Sequence, residues 1–393
     1  MHLTGSERER LCEAIISAYP RKPKLRMMVS YQLDKNLDAI AGGDDLTEIV
    51  FSLIEWAESR GKLENLIEAA SKENPGNPDL REFQESIQEK YRPSGFSPAS
   101  LPEITTFEFE VVTVDTQGRK TKRSSEQAEY FTEYLGDGVA LEMVSIPGGK
   151  FQMGAPQDEK ASQESERPQH MVNVEPFFMS RYPITQAQWK IVVNSSQIEE
   201  RPLEFDDPSC FKGDNLPVER VSWYEAQEFC QRLSRKTGRI YRLPSEAQWE
   251  YACRAKETTP FHFGKTITTD LANYRGQDRE INGHLYQGTY GGELPGVDRQ
   301  RTTEVGSFPP NAFGLCDMHG LVWEWCADYE HENYQDAPSD GSVWLSDGNE
   351  EYRILRGGSW DSFPHLCRSA SRFSESADVR DKEFGFRVVC SLM

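Results

Sequence analysis

The stretch that decides the fold lies near the carboxyl terminus, where RGGSW (residues 356–360) and FGFRVV (residues 384–389) enclose residues 361–383. We call the two short motifs the frame and the residues between them the insert. The insert follows neither the helical period of about 3.6 residues nor the alternating period of a strand. The sequence therefore predicts a structural frame around an irregular insert, which forms the working surface of the protein.

Three further motifs precede the frame: SIPGGKFQMG (residues 145–154), YRLPSEAQWE (residues 241–250) and GLCDMHGLVWEW (residues 314–325). With the frame, they resemble the formylglycine-generating-enzyme family of sulfatase-modifying domains, in the family's order over residues 138–390. The resemblance implies a variant of the C-type lectin fold, in which long ordered loops do much of the folding. The fold class expected for the whole chain is therefore α+β, with an all-α helical bundle at the amino terminus.

Length, charge and hydropathy narrow the classes of function. The chain has 393 residues, more than one ordinary domain, and its net charge of −20 comes from 44 basic and 64 acidic residues. Since a protein that binds DNA or RNA generally needs a clustered basic face, nucleic acid is not expected as a partner. The first residues contain no apolar signal-peptide core, and no stretch approaches the roughly 18 apolar residues that span a bilayer. We expect a cytosolic protein with no membrane partner.

Cysteine and histidine spacing argues against a metal or disulfide scaffold. The eight cysteines lie far apart without a CxxC pair, and the seven histidines form no HxxxH, HExxH or other zinc-binding pattern. Most of the cysteines are expected to be small buried apolar residues. The pattern predicts neither a disulfide framework nor a preformed transition-metal site.

Residues 1–90 are predicted to form a helical unit. Apolar residues at positions 46, 49, 50, 53, 54 and 57 give a helical stripe, and Asp44 or Asp45 is placed to cap that helix. Similar stripes separated by Pro and Gly indicate a bundle of about five helices. The segment resembles effector-associated domains, which are small death-fold-like adaptors, and this implies an adaptor or effector protein as its partner. The alternative is a bundle that only solubilises or oligomerises the chain.

Turn-forming residues dominate from residue 74 to residue 102, where they bracket one short charged helix. Apolar residues then alternate from residue 105 to residue 115. Residues 91–137 are accordingly predicted to be a linker followed by an edge strand.

The lectin-type unit is assigned to residues 138–393, with its variable region at residues 356–390. In a capping box, a hydroxyl side chain and a residue three positions later satisfy each other's backbone amides. Such boxes predict helices that begin after Thr185, Ser222 and Ser245.

The WEW motif (residues 323–325) looks like an active-site signature, but such aromatic side chains usually fill cores, and Glu324 needs a buried partner. The family resemblance implies a calcium ion held by two side-chain oxygens and two backbone carbonyls, which are hard ligands that suit calcium. The corresponding positions are Asp317, Gly320, Val322 and Glu324. This chain departs from the family at Leu321, where relatives usually have Asn. Asn273 resembles part of a second such site, and the alternative is that Glu324 caps backbone amides without an ion.

The family's enzymes use two cysteines, five residues apart and shortly after the GGS of the frame, to bind copper(I) and oxidise a sulfatase cysteine. In this chain the first position is Ser362 and the second is Cys367. A lone thiol cannot provide two thiolate ligands or form the resolving disulfide. We therefore expect no copper and no catalytic residue, and a formylglycine-generating oxidoreductase is kept as an alternative.

The insert mixes aromatic and aliphatic side chains with Ser, Asp, Glu and His, which is the chemistry of an adaptable binding surface. It also resembles the variable region of proteins diversified by retroelements, in which mainly Asn codons are rewritten inside a fixed frame. These features predict a non-catalytic protein that binds a protein or other ligand through the insert. The predicted ligand-binding residues are Asp361, Ser362, Phe363, His365, Leu366, Ser371, Phe373, Ser374, Ser376, Val379 and Asp381. The alternatives are a non-diversified signalling scaffold and an ordinary surface loop of an inactive family member.

Overall fold

The computed structural model describes residues 3–33, 35–43, 45–59, 63–74, 76–90, 102–194 and 206–391. Contacts between residues divide the chain into two compact units, Met1–Phe96 and Ser97–Met393. No helix within the described ranges is long and apolar enough to cross a lipid bilayer.

The first unit is a helical bundle. Its described residues form α1 (Gly5–Ala18), α2 (Lys22–Leu33), α3 (Leu37–Ile40), α4 (Leu46–Ser59), α5 (Leu63–Glu73) and α6 (Pro78–Lys90). The predicted stripe on α4 is confirmed, since its residues at positions 49, 50, 53, 54 and 57 are buried in the core and Leu46 is partly buried against it. Asp45 accepts hydrogen bonds from the amides of Thr47 and Glu48, at 2.7 and 3.2 Å, and so caps α4. Asp44 lies outside the described residues.

The helix α6 belongs to this bundle. Its Leu80 and Phe83 are buried in the same core as the residues of α1 and α4. The turn-forming residues before it therefore separate two packed helices. Residues 91–101, the first part of the predicted linker, lie outside the described residues.

The second unit contains strands, helices and long loops. In chain order, its strands and α-helices are β1 (Thr105–Val114), β2 (Lys120–Gly136), β3 (Val139–Ile146), β4 (Gly149–Met153), β5 (His170–Val174), β6 (Phe177–Ser180), α7 (Gln186–Val193), α8 (Trp223–Thr237), β7 (Tyr241–Arg242), α9 (Glu246–Arg254), β8 (Arg279–Ile281), β9 (His284–Tyr286), β10 (Trp323–Glu330), β11 (Asn349–Arg356), β12 (Arg372–Ser376), β13 (Phe384–Gly385) and β14 (Val389–Cys390). The strands β4 and β5 form one separate hairpin, and β8 and β9 form another.

The larger sheet has six strands in the order β1-β2-β3-β6-β14-β7, and all its neighbours pair antiparallel. Apolar residues cover both faces of β3, because Leu141 and Met143 belong to one core cluster while Val144 and Ile146 belong to another. As the alternation predicted, β1 is a strand at the sheet edge. The 17-residue β2 was not predicted, since most of its side chains are polar and exposed.

The smaller sheet contains the first residue of the frame, Arg356, and the start of its second part, Phe384–Gly385, while Val389 lies on β14 of the larger sheet. The strand order of the smaller sheet is β12-β11-β10-β13, with β10 and β13 parallel and the other neighbours antiparallel. Arg356 ends β11, the insert contributes β12, and the second part of the frame begins with β13. The insert also contains a short 3-10 helix, Pro364–Cys367. The prediction that the insert lacks regular structure is therefore wrong, because elements this short leave no visible period.

All three predicted capping boxes are confirmed. Thr185, Ser222 and Ser245 precede α7, α8 and α9, and each side chain accepts a hydrogen bond from the backbone amide three residues later. The return hydrogen bond from each cap amide, to Gln188, Glu225 or Gln248, is 2.9 to 3.1 Å long. The start of each helix is thus set by local sequence.

Candidate functional site

Buried arginine–glutamate pairs hold the frame. Arg387 is fully buried and donates from Nε and Nη2 to the carboxylate of Glu324, at 2.6 and 2.8 Å. Trp249 Nε1 donates to the same carboxylate at 2.7 Å. Arg356, the first residue of the frame, donates to Glu250 and is also fully buried. The prediction that Glu324 has a buried partner is confirmed, and the frame is structural because loss of either member of a pair would leave an unpaired buried charge.

Two arginines inside the insert are anchors of the same kind, and the sequence reasoning missed them. Arg368 donates to both carboxylate oxygens of Glu166, at 2.8 and 2.6 Å, and to Glu159 at 2.6 Å. Arg372 donates to both oxygens of Glu246, at 2.7 and 2.9 Å. Both arginine side chains are buried. The sequence did hold one signal, the run of small residues Ser-Ala-Ser between the two arginines, which allows close packing.

Three of the predicted ligand-binding residues are buried, namely Ser362 (4% exposed), Phe363 (6%) and Ser371 (2%). The prediction that these three face solvent is wrong, because the arginine anchors hold the insert down on the core. The remaining predicted residues are partly exposed, and Phe373 is the most exposed of them at 39%. We call these residues the insert surface: Asp361, His365, Leu366, Phe373, Ser374, Ser376, Val379 and Asp381. Ligand contact by these residues stays a prediction.

A pocket of about 320 Å³ opens beside the insert, and we call it the insert pocket. Its lining includes His365, Lys160 and the three residues of β9. The ring of Phe363 stacks on that of Tyr286, with centroids 5.2 Å apart, and on that of His365 at 6.2 Å. Burial lowers the pKa of His365, as do the nearby charges of Arg368 and Lys160, so its imidazole is neutral near pH 7. The insert pocket therefore offers stacked rings and a neutral imidazole beside an ammonium group.

The β8–β9 hairpin was not predicted from the sequence. Its strands have three residues each, which is too short for an alternating pattern to stand out. Its Tyr286 supports Phe363, and its His284 packs edge-on against Tyr286 with ring centroids 4.7 Å apart. One wall of the insert pocket thus comes from a segment about 80 residues away in sequence, which no local pattern reveals.

Arg275 joins the first residue of the insert to the neighbouring loop. Its guanidinium forms an ion pair with Asp361 and another, at 3.2 Å, with Asp298. The guanidinium carbon also lies 5.7 Å from the ring centroid of Phe363. Arg275 therefore positions both Asp361 and the stacked rings beside the insert pocket.

A second exposed part of the insert surface lies on β12, the edge strand of the smaller sheet. Phe373 packs against Trp323 and Phe384, with ring centroids 5.4 and 6.2 Å apart. Ser374 and Ser376 follow on the same strand and are partly exposed. Side chains alternate along a strand, so the ring of Phe373 lies on one face of β12 and the hydroxyl groups of Ser374 and Ser376 lie on the other.

The two positions where the family's enzymes carry cysteines form no thiol pair here. The hydroxyl of Ser362 lies 3.0 Å from that of Ser359 and accepts a hydrogen bond from the Ser359 amide, also at 3.0 Å. Cys367 is fully buried, its thiol donates to the Phe363 carbonyl at 3.7 Å, and burial raises its pKa well above the usual range. All eight cysteines of the chain are free thiols.

The residues expected to bind calcium fit an ion only in part. Asp317 is buried, its Oδ2 accepts a hydrogen bond from the Gly306 amide at 2.7 Å, and its Oδ1 has no partner among the described residues. Burial raises the pKa of Asp317 to about 6. The side-chain oxygen of Asn273 is likewise buried without a described partner. The carboxylate of Glu324, in contrast, is fully engaged by Arg387 and Trp249.

The backbone geometry of the turn at Gly320 requires a glycine. Gly320 has a φ of +79°, and a Cβ there would lie 2.2 Å from the carbonyl oxygen of Asn273. The amide of Leu321 donates to that same carbonyl at 2.8 Å. The Gly320 carbonyl accepts from the Val322 amide at 3.0 Å. Across the described ranges, no group of three or more His, Cys, Asp or Glu side chains is placed to hold a metal ion.

A six-stranded and a four-stranded sheet, two hairpins, three capped helices and long anchored loops define a C-type lectin-like domain, and a helical bundle precedes it in the chain. A family model described as "Sulfatase-modifying factor enzyme 1-like domain" matches residues 136–392, so the chain belongs to this family. A second model, described as "Effector-associated domain 1", matches residues 1–88. Both resemblances inferred from the sequence are therefore confirmed.

Relatives with known names share the second unit. The formylglycine-generating enzyme of Mus musculus is 27% identical over 291 residues, covering 62% of this chain and 74% of that protein. The structure of PvdO from Pseudomonas aeruginosa is 33% identical with a TM-score of 0.55, and covers 66% of this chain and 98% of its own. Variable protein 1 of Treponema denticola is 24% identical with a TM-score of 0.51, at the same two coverages of 66% and 98%. The last similarity shows a shared fold.

Proposed function

We propose that this protein is a non-catalytic ligand-binding protein whose insert is a diversified binding surface and whose helical unit is an adaptor. The observation that carries the proposal is the division of the insert into buried anchors and the partly exposed insert surface. Arg368 and Arg372 fix the backbone, while Phe373 and the rings beside the insert pocket provide contact area. Aromatic groups on a rigid support, surrounded by hydroxyl and carboxylate groups, are typical of a binding surface.

The fold of the insert allows its surface to change without loss of the domain. Exposed substitutions usually alter the free energy of unfolding by about 0.5 kcal/mol or less, whereas buried ones cost several times more. The residues of the insert surface can therefore vary, and Ser362, Phe363 and Ser371 cannot. The structural similarity to a protein named as a variable protein supports the same interpretation at the level of fold.

The test of diversification is in the DNA. We expect a near-repeat of the sequence encoding residues 356–390 beside a reverse-transcriptase gene, differing almost only at adenines. The differing codons should fall on the insert surface and spare positions 362, 363 and 371. The absence of such a repeat would contradict diversification, and differences concentrated at the buried positions would contradict the structural basis given for it.

A matched pair of libraries tests the same division on the protein. In one library the full chain carries random residues at positions 365, 373, 374 and 376, and in the other at positions 362, 363, 367 and 371. We expect most members of the first library to fold, as judged by resistance to proteolysis, and few members of the second. Equal survival of the two libraries would remove the distinction between anchors and surface.

The non-catalytic part of the proposal rests on sulfur chemistry. Copper(I) oxidation of a substrate cysteine requires two thiolates, and Ser362 stands in the first of the two positions while Cys367 is a buried thiol with a raised pKa. Incubation with copper and a Cys-x-Pro-x-Arg peptide should leave the peptide mass unchanged. A loss of mass that depends on Cys367 would favour the alternative, a formylglycine-generating oxidoreductase.

For calcium, we propose Asp317 as the carboxylate ligand, with Asn273 as a further oxygen donor, and Glu324 as the counter-ion of Arg387. Two buried oxygens without described partners support this assignment. A bound calcium ion would neutralise the Asp317 charge and tie the Gly320 turn to the segment of Asn273. Chelator should lower the melting temperature of the wild-type protein and leave Asp317→Asn unchanged, and metal analysis after dialysis should find calcium in the wild type alone. Identical melting curves of the wild-type protein with and without chelator would contradict the proposal that it binds calcium.

The helical unit supports an adaptor role, since it matches the effector-associated domain over residues 1–88. We propose that it binds another adaptor or effector in the cytosol. Eight free thiols fit that reducing compartment. Deletion of residues 1–90 should abolish capture of the adaptor partner and leave ligand binding by the insert intact. Unchanged binding of every partner after this deletion would contradict the adaptor role.

A further inference from the structure

A second pocket, of about 640 Å³, lies in the lectin-type unit and shares no lining residue with the insert pocket. We call it the arginine pocket. Its polar lining includes Lys212, Arg299, Arg301, Thr302, Thr303 and Ser307. Three cationic side chains therefore meet in one concavity of a protein whose net charge is −20. A cluster of positive charge on an otherwise strongly acidic protein indicates a site for an anionic ligand.

Neither arginine is neutralised by a carboxylate among the described residues. Arg299 Nη2 donates to the backbone carbonyl of Thr269 at 2.8 Å, while Nη1 is buried and has no described partner. Arg301 lies over the ring of Phe211, with its guanidinium carbon 5.6 Å from the ring centroid. Arg301 thus keeps exposed donors available for a ligand, and Arg299 keeps one buried donor without a described partner.

Two carboxylates moderate the charge of the pocket. Glu304 lines the arginine pocket, and Lys212 forms an ion pair with Asp207 at 2.7 Å. Arg299 and Arg301 therefore provide most of the positive charge that no carboxylate balances. Lys212 contributes less, because Asp207 pairs with it. A ligand that carries more than one negative charge is the one best matched to this arrangement.

Thr302 gives independent evidence for a ligand. Its side chain is 2% exposed and lines the arginine pocket, yet its hydroxyl has no hydrogen-bond partner among the described residues. Buried hydroxyl groups in folded proteins nearly always have a partner. An acceptor from outside the chain would satisfy this hydroxyl together with the free Nη1 of Arg299.

The segment that carries these groups is held firmly. Asn273 Nδ2 donates to the Arg301 carbonyl at 2.9 Å and to the Thr303 hydroxyl at 3.3 Å. The Val305 amide donates to the Asn215 carbonyl at 3.0 Å and so ties this segment to the loop that follows Lys212. The backbone that carries these residues is therefore held in place before any ligand arrives, which lowers the entropic cost of binding.

We propose that the arginine pocket is an oxyanion site that binds the phosphate group of a small phosphorylated molecule. A phosphate monoester carries up to two negative charges and three terminal acceptor oxygens, which match two guanidinium groups and the Thr302 hydroxyl. The cavity is larger than a phosphate group, and its volume lies within the range of small-molecule sites, roughly 300 to 1,000 Å³. This site is separate from the insert surface and does not depend on the function proposed for it.

Calorimetric titration of the full-length protein tests the proposal, with inorganic phosphate and phenyl phosphate as probes and acetate at equal ionic strength as the control. We expect both phosphates to bind and acetate not to bind. Tighter binding of phenyl phosphate identifies an organic phosphate as the ligand class, and equal or weaker binding identifies free phosphate.

Variants assign the binding to the pocket. Arg301→Gln and Arg299→Gln should each weaken phosphate binding by at least about tenfold, and Thr302→Val by about tenfold, since each removes a hydrogen bond to a charged group. Glu304→Gln should strengthen binding, because it removes the carboxylate from the lining. Arg279→Gln, on the separate β8–β9 hairpin, is the matched control and should bind phosphate like the wild type.

Phosphate should also raise the melting temperature of the wild type and of Arg279→Gln, but not that of Arg301→Gln. Arg301 is exposed, so its substitution leaves the fold intact even if Arg299→Gln is destabilised through the lost contact with Thr269. Absence of phosphate binding to the wild type overturns the proposal. Equal binding by Arg301→Gln, Thr302→Val and Arg279→Gln overturns it as well, because the anion would then bind elsewhere.

Discussion

Buried anchor residues and partly exposed surface residues are neighbours along the insert, and the sequence around them does not distinguish one kind from the other. Ser371 and Arg372 are buried, whereas Phe373 and Ser374, the next two residues, are partly exposed. The most apolar of these four residues is the most exposed, and the arginine is buried because Glu246 neutralises it. The comparison teaches that ion pairing with the core can bury a charged residue of the insert beside an exposed apolar one, so hydrophobicity alone does not decide which of these residues face solvent.

The largest expected effect comes from removing an anchor. Arg368→Ala leaves the buried carboxylates of Glu166 and Glu159 without their cation, and we expect the free energy of unfolding to fall by about 3 to 5 kcal/mol. Urea denaturation measures this loss. The matched control is Arg380→Ala, also in the insert, whose pair with Glu225 is partly exposed and should contribute about 1 kcal/mol or less. Equal losses for the two variants would break the comparison.

A smaller loss is expected at the ring beside the insert pocket. Phe363→Ala removes a buried side chain that stacks on Tyr286 and His365, and should lower the free energy of unfolding by about 3 kcal/mol. Phe373→Ala, on the exposed side of the insert, should cost about 1 kcal/mol or less. Thermal or urea unfolding of the two variants measures both losses of free energy of unfolding. A larger loss for Phe373→Ala than for Phe363→Ala would reverse the assignment of buried and exposed rings.

The acidic groups behind the anchors should make stability depend on pH. Burial, together with the nearby charge of Glu246, raises the pKa of Asp328 to about 7, while the unfolded value is about 3.9. The folded protein therefore holds this proton over a window in which the unfolded chain releases it. The contribution of this group to stability should accordingly fall as pH rises from about 4 to about 7, by about 4 kcal/mol.

Asp328→Asn removes this titration, so its free energy of unfolding should change less over the same pH window than that of the wild type. Urea unfolding at several pH values measures the difference between the two slopes. Glu375→Gln, on β12 and partly exposed, serves as the control and should leave the wild-type slope unchanged. Parallel slopes for Asp328→Asn and the wild type would show that the carboxyl group is not held in its neutral form.

The smallest effects belong to the insert surface. Ser374→Asn and Ser376→Asn should each change the free energy of unfolding by about 0.5 kcal/mol or less, because both side chains are partly exposed. The double variant should equal the sum of the two to within experimental error, as expected for sites that share no buried partner. A loss as large as that of Phe363→Ala would mean that these serines are anchors too.

Much of the fold could be predicted from sequence where the cause is local. Thr185, Ser222 and Ser245 form capping boxes with residues three positions away, and the stripe on α4 follows from helical spacing alone. In contrast, β2 was missed because exposed polar residues hide its period, and β8 and β9 because they are short. The insert stays the predicted ligand-binding segment, and burial contradicts the expected exposure of three of its residues, Ser362, Phe363 and Ser371.

The sequence by itself determined the family and the two units, because motifs and their order need no coordinates. Only the tertiary structure decided which insert residues face solvent, since Arg368 and Arg372 pair with glutamates more than 100 residues away. It also brought Lys212 to the same pocket as Arg299 and Arg301. Burial and ion pairing across such distances depend on how the chain packs, and local sequence patterns do not record them.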